Sequence, residues 1–168
     1  PRGYNNESEE ATTILPEGDP MNSSLHDRFA WFLLHNIQNP YRAKELALKA
    51  TDLDTNNADA YLTLALCHYR LNDLESGDKS INRAQKLGKP ESLCTLRKGI
   101  SRYHAANTGS TSREVKLKLL SEGLSLLKKS ISSSMNEEDY PHKSHNIREA
   151  RKYTEMTFGK IGTLKRRE

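Results

Sequence analysis

His142 and His145 stand three residues apart beside Glu138 and Asp139, a donor set that could ligate a metal ion. They fall in a polar connector where nothing in the pattern fixes the ring orientations a metal site needs, so these side chains read as solvated surface. His68 sits on an apolar helix face and is expected to pack rather than to act as a base. Asp52 with Asp54, and Glu137 with Glu138 and Asp139, lie in turns, where carboxylates cap helices and keep the surface soluble. Cys67 and Cys94 are the only cysteines, both inside predicted helices, and are expected to behave as small buried hydrophobes in a reducing compartment. There is no Gly-rich phosphate loop, nucleophile elbow or paired-cysteine zinc spacing. The expectation is a protein that is not an enzyme and takes no cofactor, metal or small-molecule substrate.

A second chemistry is written in charge. The net charge is +4, and its distribution is uneven: residues 1–24 hold one basic and five acidic groups, 25–96 nine of each, and 97–168 sixteen basic against eight acidic. Arg148, Arg151, Lys152, Lys160, Lys165, Arg166 and Arg167, with Tyr153 among them, could bind a polyanion such as RNA, and counterion release would make that binding steeply salt-dependent. A solvated helix face with a basic tail explains the same residues.

Both sets depend on the elements that carry them. Pro40 to Leu53 and Leu74 to Leu87 superimpose with Ala43 over Gly77, Ala50 over Ala84 and Leu53 over Leu87, each pair 34 residues apart. A fixed period of that size marks stacked helical hairpins, in which one unit cannot bury its apolar face without its neighbours. With 168 residues, 35% hydrophobic and 29% charged, the chain can bury roughly two thirds of its unfolded surface and has the profile of a helical protein with solvated outer faces. No apolar run approaches the roughly 20 residues of a membrane-spanning helix, and no secretory signal is visible. The location expected on these grounds is intracellular and cytoplasmic. The chain begins at proline, which suggests a fragment or processed product.

Residues 1–24 are too poor in apolar groups to order and are expected to be a disordered or linking segment. Residues 25–141 read as helical repeats: a helix from Leu25 ending before Asn39-Pro40, then Pro40 to Leu53, Ala58 to Leu71, Leu74 to Leu87 and Glu91 to Tyr103. The period then breaks at a connection from His104 to Ser112. Thr111 with Glu114 forms a capping box for a long helix through Leu117, Leu120, Leu124, Leu127 and Ile131, followed by a polar connection from Ser132 to Pro141. Residues 142–168 read as a basic capping helix, His145 to about Leu164, and a tail; Gly159 and Gly162 weaken its last turns.

The unit from Ala58 to Pro90 resembles a tetratricopeptide repeat (TPR). Tyr61, Leu64, Ala65, Gly77 and Ala84 fall in that family's places, while His68, Asn72, Ile81 and Lys89 replace its second aromatic, first glycine, later aromatic and proline. The first unit matches at Ala30, Ala43 and Ala50 but has Asp27 in an aromatic slot, and the third keeps Gly99, Gly123 and Ser130 around an insertion. The resemblance implies an all-α, TPR-like solenoid of about three hairpins plus a C-terminal helix. It also implies a scaffold or adaptor that binds a protein or peptide in a concave groove lined by the first helix of each unit. Its groove positions fall on Leu62, Leu66, Tyr69 and Arg70, and on Leu93, Leu96, Ile100, Tyr103 and His104. That surface is expected to be mostly apolar, unlike the lysine and asparagine clamp of chaperone-tail binders. Either the chain fills it, for instance with its own C-terminal helix, or the apolar face of a partner helix does. A fainter similarity to interferon-induced TPR proteins, some of which bind RNA, implies the alternative of RNA binding through the basic C-terminal half.

Overall fold

The computed structural model describes residues 21–108 and 111–166, and among them the secondary structure is entirely helical. The seven α-helices are α1 (Ser23–Phe32), α2 (Pro40–Leu53), α3 (Ala58–Arg70), α4 (Leu74–Lys86), α5 (Glu91–Ala106), α6 (Arg113–Asn136) and α7 (Lys143–Lys165). Consecutive helices pair as antiparallel hairpins, α1 with α2, α3 with α4 and α5 with α6, and α7 packs on the end against α6 and α5. The first helices of successive hairpins also touch, α1 with α3 and α3 with α5, so the units stack in register. The all-α hairpin solenoid is the architecture that the 34-residue period requires.

The chain punctuation explains the boundaries. Asn39 accepts a hydrogen bond from the Arg42 backbone N–H and Asp73 one from that of Ser76, so α2 and α4 begin with the same kind of side-chain cap. Asn57 does the same for Ala60 and donates through Nδ2 to Ser23 Oγ, tying the start of α3 to the start of α1. Gly88, at φ +103°, ends α4 in a conformation that a Cβ would strain. Pro90 offers α5 no side-chain cap; instead Glu137, from the connector after α6, accepts from the Ser92 N–H at 2.8 Å and from its hydroxyl. A carboxylate at that helix N-terminus is favoured by the helix dipole. Its position anchors the connector that leads into α7.

Burial follows the stack. Ala30, Leu33 and Leu34 pack against Ala43, Leu46 and Ala47 and onto Leu64 and Cys67 of the next unit. Leu62, Ala65, Ile81 and Ala84 carry the core forward to Cys94, and Leu96 meets Leu127 and Ala150 at the far end. Each fully buried Leu or Ile contributes about 1.5–3 kcal/mol, and alanines at the crossings let the axes approach. Both cysteine thiols are completely buried, and burial pushes them up to about 12 for Cys67 and about 11 for Cys94. They are the small buried hydrophobes expected of them.

Several expectations need correction. The first helix starts at Ser23, inside the stretch read as linker, because Asn22 caps it; residues 1–20 of that stretch lie outside the described residues. Asp27, in the slot where the repeat usually has an aromatic residue, is buried and accepts a 2.6 Å hydrogen bond from Thr63 Oγ1. Burial pushes its carboxyl up, against the lowering effect of that bond. The cap of α6 is Ser112, one residue past the expected Thr111. Helix α6 also runs on to Asn136, since Ser132 and Ser134 bond back to the carbonyls of Lys129 and Ile131. His68 is half-buried and faces the Asp73 carboxylate at 3.3 Å.

Helix α7 continues through Gly159 and Gly162, where an added Cβ would meet nothing within 4 Å. Substituting either by alanine should therefore stabilise the protein by about 0.5 kcal/mol, a Tm rise of roughly 1–2 °C each in a thermal melt. Unchanged melting would mean that the end of α7 does not take part in the cooperative unit.

Candidate functional site

The inner face of the stack carries a cleft of about 590 Å³ built by three first-position helices and the capping helix. Leu66, Tyr69 and Arg70 come from α3, Arg97, Ile100, Ser101 and His104 from α5, and Glu149 and Tyr153 from α7. His35 enters from a π-helical turn, Leu33–Ile37, that extends α1. Pro40 forbids a continuing helix, and Gln38, at φ 57°, closes the turn with its neighbour Asn39 bonded back to the Leu33 carbonyl at 3.0 Å. The Trp31 and His35 rings lie 4.2 Å apart.

Walls of the cleft are cross-braced. Tyr69 OH donates to Asp78 Oδ1 at 2.7 Å, and Asp78 in turn accepts from both terminal nitrogens of Arg102, so α3, α4 and α5 share one network. Burial, followed by the bond to Asp78, raises the Tyr69 phenol far above its usual range. The Tyr69 ring lies across Gly77 so closely that a Cβ there would collide with it. On the far side Arg97 Nη1 donates to Glu149 at 3.0 Å, and the Tyr153 hydroxyl lies 3.0 Å from His104 Nε2. Burial, then the charge of Arg70, holds the imidazoles of His35 and His104 below the usual value, Arg97 adding to the effect on His35.

The cleft is thus more polar than the expected groove. Leu66, Tyr69, Arg70, Ile100 and His104 line it, whereas Leu96 is completely buried against Leu127 and Ala150, under α7. Leu93 packs beside Cys94 between the second and third units. Tyr103 stands edge-on to Tyr153 at 5.3 Å and helps hold α7. Leu62 is 8% exposed and borders a smaller cleft with Trp31 and Asp27. Of the positions expected on α5, Ile100 and His104 line the cleft and Leu93, Leu96 and Tyr103 do not; Arg97 and Ser101 take their place on that face. Sequence reasoning missed His35, Arg97 and Glu149. Arg97 and His104 at i and i+7 gave a signal, but apolar residues were favoured; the π turn that delivers His35 had none.

Arg148, Arg151 and Lys152 are exposed at i, i+3 and i+4 on the outer side of α7, whereas Lys160 borders a separate cleft with Lys116. Lys165 and Arg166 end the helix, with Arg166 Nε bonded to the Gly162 carbonyl, and Arg167 lies outside the described residues. Among the described residues no group of three or more His, Cys, Asp or Glu side chains converges as a metal site, and no helix is long and apolar enough to cross a membrane.

Stacked hairpins with a cleft on the inner face define an all-helical hairpin-repeat fold. No family model matches the chain. Over 87 residues it is 37% identical to the protein O-mannosyl-transferase TMTC3 of Homo sapiens, an alignment covering 51% of this chain and 9% of that protein. The chain therefore spans a small part of the curated relative it matches.

Proposed function

We propose that this chain is a non-enzymatic TPR-like scaffold that binds a segment of another protein in the cleft between α3, α5 and α7. The observation that carries this reading is the cleft itself: about 590 Å³ on the inner face, lined by half-buried Leu66 and Ile100 beside cationic and aromatic side chains that fix orientation. The outer residues Arg148, Arg151 and Lys152 are exposed on α7 and do not line this cleft.

Peptides selected from a displayed library should perturb the backbone amides of Leu66, Tyr69, Ile100 and His104 in NMR spectra. Leu66→Asp should weaken their binding about tenfold or more while the helical signal is kept. Leu96→Asp is no test, since it places a charge in the core. Peptides that instead perturb the outer face of α7 would remove the groove from consideration.

A further inference from the structure

The charges lining the cleft do not balance. Glu149 is the single carboxylate lining it among the described residues, and it is taken by Arg97. Arg70 is exposed and has no carboxylate partner among the described residues. His35 on the π turn and His104 on α5 line the same space, both within reach of the Arg70 field.

We infer that the cleft recognises an acidic segment of its partner, with a side-chain carboxylate pairing with Arg70 between His35 and His104 and neighbouring apolar groups resting on Leu66 and Ile100. This rests on the groove reading above and names the partner's chemistry. Charge complementarity selects this occupant. A polyphosphate chain would need a row of free cations, whereas Arg70 alone is unmatched here and the floor beside it is apolar.

Recognition of this kind is coupled to protons. In the free protein burial and then the charge of Arg70 hold both imidazoles below their usual value. A bound carboxylate reverses the local field and raises their pKa values, so binding takes up protons and tightens as pH falls through the interval between the free and bound values. Glu149 opposes entry of a second carboxylate near Arg97, and Tyr153 OH remains the partner of His104 Nε2, which leaves the face toward Arg70 for the ligand.

Fluorescence anisotropy with acetylated, amidated peptides of repeating Leu-Glu-Glu and Leu-Gln-Gln tests this without a terminal carboxylate. The Glu peptide should bind at least about tenfold more tightly than the Gln peptide. Its affinity should rise several-fold, up to about tenfold, from pH 8 to pH 6, and Arg70→Gln should abolish the difference between the peptides. His35→Gln combined with His104→Gln should flatten the pH dependence. Equal binding of both peptides, weakened by Leu66→Asp, overturns acidic recognition and leaves the groove reading standing. Binding of neither peptide overturns it too, and the library mapping then judges the groove separately. Oligouridine bound in place of peptide and lost in Arg70→Gln overturns it in favour of RNA.

Discussion

Gly99→Val should cost about 3 kcal/mol or more and uncouple the third hairpin from the rest of the stack. Helices α5 and α6 cross at Gly99 and Gly123, each glycine facing the other's carbonyl: a Cβ on Gly99 would stand 2.7 Å from Leu127 Cγ and 3.2 Å from the Gly123 carbonyl oxygen. A Cβ on Gly123 would in turn stand 3.1 Å from the Gly99 oxygen. Replacing a mid-helix glycine by a side chain ordinarily gains up to about 1 kcal/mol. Here the obstacles are the Cγ of the fully buried Leu127 and, behind it, a backbone carbonyl, neither of which can swing aside, so overpacking outweighs propensity. Leu127→Ala should rescue only part of the loss, because it relieves the 2.7 Å contact but opens a cavity in the core and leaves the carbonyl contact. In a solenoid the damage stays local: hydrogen exchange should accelerate over α5, α6 and α7 while α3 and α4 keep most of their protection. Uniform loss of protection, or an unchanged urea midpoint, would contradict this picture of the crossing.

That crossing also shows what the sequence could and could not disclose. Gly99, Gly123 and Ser130 stood at repeat positions despite the insertion, so the third hairpin was legible from its small residues alone. Helix ends were legible where a side-chain cap or proline fixed them, as at Asn39, Asn57 and Asp73. The end of α6 was not, because serines that look like a connector satisfy themselves on the preceding turn. The cleft was partly legible: Leu66, Tyr69, Arg70, Ile100 and His104 stand at groove positions that the TPR resemblance implies, and they line it. Leu96 did not, because whether an apolar residue lines a groove or a core depends on α7, and its docking is a long-range contact between Ala150 and the Leu96–Leu127 pair. His35 depended on a π turn, a backbone feature that no residue pattern announces.

Asp78→Ala should be the most damaging substitution outside the apolar core, at about 3 kcal/mol. Asp78 holds a bidentate pair with Arg102, whose side chain is 11% exposed, and accepts from Tyr69, so its removal strands two partners at once. Arg102 Nε already lies buried without a hydrogen-bond partner, and Nη1 would keep only Ser101 Oγ at 3.2 Å. Leaving a buried guanidinium uncompensated costs roughly 3–5 kcal/mol, discounted here because the Asp78 side chain is 29% exposed. Tyr69→Phe removes only the hydroxyl bond and should cost about 1 kcal/mol, with the double variant falling short of the sum. Burial by itself would raise the Asp78 carboxyl, but the Arg102 and Tyr69 hydrogen bonds and the Arg102 charge hold it below the usual value of about 4. A carboxyl depressed in the folded state stabilises above its unfolded value and loses that contribution as pH falls through the folded one. The gap between parent and Asp78→Ala in urea unfolding should therefore be full at neutral pH and narrow below about pH 4. A gap that widened in acid, or a variant within about 0.5 kcal/mol of the parent at pH 7, would show that the network is not what braces α3 against α5. Because Tyr69 forms one wall of the cleft, the same variant should also weaken peptide binding, through a wall that has lost its anchor rather than through a lost contact.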